Sequence, residues 1–233
     1  MSMPFLTAEW RDLLLFNWAV DPSLLAPLVP AGTELDPWEG DCFVSAVGFQ
    51  FRSMAVMGVP AWGWRNFPEI NLRFYIRRKH DGEWRRGVGF VAEVTPHRLV
   101  GWIARSVYGE PYQTWPMQTE VTEDLTEYRI RMGGEWAGMG ARPTGSWMTP
   151  DPAAQETFFI EHYWGYTRLS ETQTSEYEVA HPSWRTRSAE LERFDLDVAK
   201  LYGPEWADLL SQPPDSVVLA EGSEIAVHPG RKL

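Results

Sequence analysis

The residues best placed to do chemistry lie in the segment Glu69-Ile70-Asn71-Leu72-Arg73-Phe74-Tyr75. A strand turns successive side chains to opposite faces, so Glu69, Asn71, Arg73 and Tyr75 share one face and Ile70, Leu72 and Phe74 the other. Directed into a cavity, the first set makes a hydrogen-bonding wall, with Arg73 suited to a carboxylate. Directed outward, they are ordinary surface residues, and alternation alone does not choose. The five histidines, His80, His97, His162, His181 and His228, are widely spaced. In a strand, Glu161 and His162 would point apart and could not chelate one ion together. There is no nucleophile elbow, phosphate-cradling glycine loop or HExxH. No metal and no cofactor are expected.

The elements that would carry these residues read as mostly strands. Alternating or β-rich runs occur at Cys42–Phe51, Glu69–Arg77, Gly87–Val94, Thr126–Arg131, Thr157–Tyr163, Ser175–Val179, Glu190–Leu196, Ser216–Leu219 and Glu224–Val227. His80-Asp81-Gly82 and Gly133-Gly134 supply turns between neighbouring runs. Three helices are expected. One is capped by Asp21 with Pro22 at its first position. Another opens at Thr95-Pro96, with Leu99, Ile103 and Val107 on one stripe and Gly109 as its stop. The third spans about 197–210, with Gly203-Pro204 threatening its middle. Strands that far outnumber helices and rarely alternate with them point to a curled or closed antiparallel sheet. The segment Ser53–Pro68, rich in Met, Trp, Gly and Pro, reads as a flap over a pocket or a packed Ω-loop.

Composition narrows the function. The 233 residues suit one domain spanning 1–233 and a sizeable core. The single cysteine, Cys42, excludes an internal disulfide and a cysteine-cluster zinc site. The N-terminal run is broken by Glu9, Arg11 and Asp12 and lacks a signal-peptide pattern, and no stretch reaches membrane-span length. A cytoplasmic protein with no membrane partner is expected. A net charge of −11 opposes nucleic-acid binding. The basic run Arg77, Arg78, Lys79 with Arg85 and Arg86 reads as a solvated hairpin tip. Thirteen tryptophans and eight tyrosines suit a thick core or an aromatic-lined pocket.

Three segments, EINLRFYI, GVGFVAEVTPHRLVGWIARSVYGEPYQTWPM and FFIEHYWGYTRLSETQTSEYEVAHPSW, resemble the successive motifs of the YqjF-like family, a bacterial family of unknown function. The likeness runs through the closing SVVLAEGSEIAVHPGR and covers nearly the whole chain. That family is grouped by fold with acetoacetate decarboxylase, to whose entry segment LLAPLVPAGTELDPWEGDCFVSAVGFQF is similar. The resemblance implies a mostly β (α+β) architecture: an antiparallel, cone-like β-barrel with helices at its edge and a ligand cavity inside. The decarboxylases form a Schiff base on a lysine activated by a neighbouring cation. Where they carry paired lysines after a proline, this chain has Pro111-Tyr112-Gln113, and neither Tyr112 nor Gln113 forms an imine. The lysines are Lys79, Lys200 and Lys232, with Lys79 beside the His80-Asp81-Gly82 turn.

The expected function is small-molecule binding, with Asn71, Arg73, Tyr75, Tyr112, Gln113 and His181 as the polar lining. One form of it is an enzyme acting on a small organic (keto) acid without a Schiff-base lysine. The alternative is a non-catalytic sensor or protein-interaction domain whose interior is filled by its own aromatics. Homo-oligomerisation is left open.

Overall fold

The computed structural model describes residues 3–107 and 109–233, without the side chains of 103–107. Its strands are β1 (Leu6–Val20), β2 (Glu34–Leu35), β3 (Cys42–Val56), β4 (Val59–Pro60) and β5 (Phe67–His80). Then come β6 (Glu83–Thr95), β7 (Tyr112–Thr114), β8 (Met117–Val121), β9 (Thr126–Met132) and β10 (Glu135–Pro143). β11 (Trp164–Arg168), β12 (Thr174–Ala180), β13 (Thr186–Phe194), β14 (Ser216–Val227) and β15 (Arg231–Lys232) complete the set. The helices are α1 (Pro22–Leu25), α2 (Arg98–Val107), α3 (Gln155–Ile160), α4 (Val198–Leu201) and α5 (Ala207–Leu210). None of the described helices is long and apolar enough to cross a membrane.

The strands form one mixed sheet. Its central path, β12-β11-β6-β5-β3-β1-β14, returns on itself because β12 also pairs with β14 through Val179–Val227 and Ala180–Ala226. Beyond β14 the sheet continues through β13, β10 and β9 to β8. Most neighbours are antiparallel, but β11 and β7 each run parallel to β6, so a purely antiparallel sheet is not what the chain forms.

Alternation sorts the core into two clusters. Leu14, Phe16 and Trp18 of β1 pack with Ile70, Leu72 and Phe74 of β5 and with Tyr128 and Ile130 of β9. Leu13 and Leu15 of β1 pack with Phe49, Tyr75, Tyr177 and the α3 residues Phe158 and Phe159. β1 is not among the strands that alternation predicts, because much of it is buried on both faces. An apolar run of that kind carries no period-two signal. A bulge with Asp12 at φ 57° further breaks its register against β3.

Other expectations need correcting. Thr157–Tyr163 is not a strand: its first half belongs to α3, since a short apolar run looks alike in either element. The 53–68 segment carries regular structure that the sequence pattern does not predict, and its Met54, Val56, Trp64 and Phe67 border the cavity described below. β3 continues to Val56, turns at Met57-Gly58 and returns as β4. α2 opens after Thr95-Pro96, but Leu99 is exposed while Val100 and Gly101 face inward; the side chains of Ile103 and Val107 lie outside the described residues. Asp21 caps α1 through Ser23 N–H as read, and Gly203-Pro204 splits the third helix into α4 and α5.

Candidate functional site

The inner faces of β1, β3, β5, β6 and β12 leave a cavity of about 130 Å³. One wall is aromatic, with Trp10, Phe49, Phe51 and Phe67 in mutual edge and stacked contacts. Met54 near the end of β3 and Trp64 between β4 and β5 close part of it, held by the Met54 N–H to Arg65 carbonyl bond at 3.0 Å. The polar lining falls into two groups spaced along β5.

The first group is acidic. Glu69 on β5, Glu93 on β6 and Glu110 before β7 are 2 %, 2 % and 6 % exposed. Tyr112 donates its hydroxyl to Glu69 Oε2 at 2.8 Å, Tyr177 donates to Glu110 Oε1, and Asn71 Nδ2 lies 3.4 Å from Glu69 Oε1. Burial pushes the Glu69 carboxyl up to about 8, with Glu110 adding to the rise and the Tyr112 hydrogen bond opposing it. Burial likewise lifts Glu110 to about 7 against the Tyr177 hydrogen bond. Glu93 is held well above the carboxylate range by burial and then by Glu110 and Glu69. The Tyr112 phenol is driven up by burial and by the same three carboxyls. These shifts favour the protonated form of Glu69 and Glu93 at neutral pH.

The second group lies farther along β5; four residues of strand span roughly 13 Å. Arg73 donates from a terminal nitrogen to the Phe159 carbonyl at 2.8 Å, and its guanidinium sits 5.6 Å from the Tyr75 ring centroid. Its Nε is buried with no partner among the described residues. His162, just after α3, also borders the cavity, and its ring lies 4.7 Å from that of Tyr75. His162 Nε2 is 3.1 Å from Asp36 Oδ2, which also accepts from Arg86 Nε at 2.6 Å; Arg77 stands 3.5 Å from Asp36 Oδ1. Burial alone would raise the Asp36 carboxyl, but the bonds from His162 and Arg86 outweigh it and hold it below its ordinary value. Burial pushes the His162 imidazole down to about 4, Asp36 pulling the other way.

Of the residues expected in the lining, Asn71, Arg73 and Tyr112 border the cavity. Tyr75 shares their face but is walled off behind Phe158 and Phe159, its hydroxyl bonded to Ser45 Oγ at 2.6 Å. Gln113 turns the other way and donates to the Leu201 carbonyl at 2.6 Å, as period two requires of the residue after Tyr112. His181 stacks on Trp184 at 4.2 Å, with Nδ1 2.9 Å from the Pro182 carbonyl, outside the lining. Lys79 is exposed beside the β5–β6 turn, near the Trp84 ring. The neighbouring arginines are not a solvated tip: Arg78 and Arg85 both pair with the buried Glu176, and Arg77 and Arg86 with Asp36.

Glu93, Glu110 and Tyr177 are not among the residues the sequence points to, and His162 enters there only beside Glu161, as a pair unable to chelate one ion. Glu93 did leave a trace, a lone charge inside the apolar run Gly87–Val94. His162 follows α3 rather than lying in a strand, so the alternation expected of Glu161 and His162 does not apply.

Residues 7–224 match the model of a family described as an uncharacterized conserved protein, DUF2071. The uncharacterized protein YqjF of Bacillus subtilis (strain 168) is 30% identical over 187 residues, covering 78% of this chain and 75% of that protein. Among solved structures, acetoacetate decarboxylase from Legionella pneumophila matches with a TM-score of 0.67 at 13% identity, over 99% of this chain and 88% of that one. The enduracididine biosynthesis enzyme MppR, complexed with pyruvate, matches with a TM-score of 0.67 at 14% identity, over 100% and 91%. At such identities the two structures share a fold with this chain and nothing more.

Proposed function

We propose that this chain, which belongs to the DUF2071 family of YqjF-like proteins, binds a small organic acid in its cavity, with Arg73 as the anchor for the carboxylate. The observation that carries this reading is the Arg73 side chain: a guanidinium bordering a largely apolar cavity, four residues along β5 from the acidic group, with a buried Nε that no described residue satisfies. Leaving such a donor without a partner costs about 1–3 kcal/mol or more, which a bound carboxylate recovers. The circuit of paired strands and the likeness to decarboxylase-type structures support a cone-like barrel around the site. The pyruvate-bound MppR complex supports a short carboxylic acid as occupant.

Schiff-base chemistry is not part of the proposal, because Lys79, Lys200 and Lys232 all lie outside the lining. If a reaction follows binding, its protons come from the Glu69–Tyr112 and Glu110–Tyr177 pairs. The rival reading, a sensor or interaction domain with a filled interior, fits less well with a cavity that keeps polar groups on its wall. The test is a thermal-shift screen of short carboxylic and keto acids. An acid at 100 times its dissociation constant stabilises the fold by about 2.7 kcal/mol. Arg73→Met should abolish that stabilisation. A shift that survives in Arg73→Met, or no shift with any acid, defeats the proposal.

A further inference from the structure

His162 presents an atom that neither the fold nor the acid anchor explains. Its side chain is 2 % exposed, packed against the rings of Tyr75 and Phe158, and its Nδ1 is buried without a partner among the described residues. The tautomer follows from its neighbours. Asp36 is held ionised by Arg86, and an ionised carboxylate only accepts, so the proton sits on Nε2. Burial keeps the ring neutral, so Nδ1 is a bare lone pair. Arg77, Arg86 and Arg73 are the charged groups about the Asp36–His162 pair, and they fix rather than compete for that arrangement.

Arg73 and His162 pack on the same ring, 5.6 and 4.7 Å from the Tyr75 centroid. Both residues border the cavity, and one has a buried donor and the other a buried acceptor without a partner among the described residues. We infer that the site selects a 2-hydroxy acid over the matching 2-keto acid, Arg73 taking the carboxylate and His162 Nδ1 accepting the hydrogen bond of the adjacent hydroxyl. A keto oxygen at that position sets lone pair against lone pair and leaves Nδ1 unsatisfied. Sites built to bond a hydroxyl reject analogues lacking it far more strongly than apolar pockets separate homologues. The inference rests on the acid-binding reading and names the acid's class.

The probes are mandelate, phenylglyoxylate and phenylacetate, which carry the same ring and carboxylate with a hydroxyl, a carbonyl or neither. Calorimetric titration of the intact protein should give mandelate at least about tenfold tighter binding than the other two. In His162→Phe, where the ring still packs but the acceptor is gone, the three should bind within a factor of about two, with acid binding retained. Asp36→Asn removes the charge that keeps the proton on Nε2 and should shrink or reverse the preference for mandelate over phenylglyoxylate. Equal binding of all three to the unaltered protein, with Arg73→Met weakening each, overturns the inference and leaves the acid site standing. A mandelate preference that persists unchanged in His162→Phe also overturns it. Binding indifferent to Arg73→Met, or binding of none of the three, removes the acid site and the inference together.

Discussion

Tyr112→Phe removes one atom from the acidic group and should expose its protonation state. The lost hydroxyl donates at 2.8 Å to Glu69 Oε2, within a cluster of buried carboxyls. At pH 6, below its raised value of about 8, Glu69 carries a proton. The deleted bond is then between neutral groups and costs about 1 kcal/mol. At pH 9.5 Glu69 is ionised, and a bond to a buried carboxylate is worth about 1.5–3 kcal/mol. The sign follows from linkage. A carboxyl whose folded value lies above its unfolded value contributes stability that is fully present below the unfolded value. That contribution is lost as pH rises through the folded one. The Tyr112 bond lowers the folded value of Glu69, so its removal raises that value and extends the loss to higher pH. Urea denaturation of both proteins at the two pH values measures the difference. The penalty for Tyr112→Phe should grow by about 1–2 kcal/mol from pH 6 to 9.5. An equal penalty at both would falsify the view that Glu69 titrates late because it is buried against Tyr112.

Three further outcomes follow from the same geometry. Glu110→Gln keeps an acceptor for Tyr177 but removes a carboxyl lifted to about 7, so its denaturation midpoint should fall less than that of the parent between pH 5 and 7. Gly165→Ala would drive a methyl into the Tyr177 ring, which crosses directly over Gly165; it should destabilise by about 1–3 kcal/mol in thermal melts, whereas an unchanged melting temperature would contradict the packing described. Borohydride reduction in the presence of pyruvate, followed by peptide mass spectrometry, should leave Lys79, Lys200 and Lys232 unmodified, and an adduct on any of them would restore Schiff-base chemistry.

What the sequence revealed depended on whether a strand had one buried face or two. β5 was legible because its polar and apolar residues alternate cleanly, and Glu69, Asn71 and Arg73 stand on the cavity side while Ile70, Leu72 and Phe74 pack behind. β1, buried on both faces, left no such pattern. The resemblance to YqjF-like proteins brought Tyr112 to notice, and period two then separates it from Gln113. The rest of the site is assembled from long-range encounters: Glu93 and Glu110 meet Glu69 only once β6 pairs with β5 and β7 with the far edge of β6. Asp36 reaches His162 across 126 residues of chain. No local spacing announces such partners. With α3 expected as a strand, His162 is weighed only beside Glu161, and its pairing with Asp36 goes unseen.

The most direct test of the acid anchor is a crystal structure of the protein grown with saturating mandelate. The carboxylate should lie within hydrogen-bonding distance of Arg73 Nε, about 2.7–3.1 Å, with the phenyl ring against Trp10, Phe49 and Phe51. Density for the acid elsewhere, with the Arg73 guanidinium still bonded only to the Phe159 carbonyl, would contradict it.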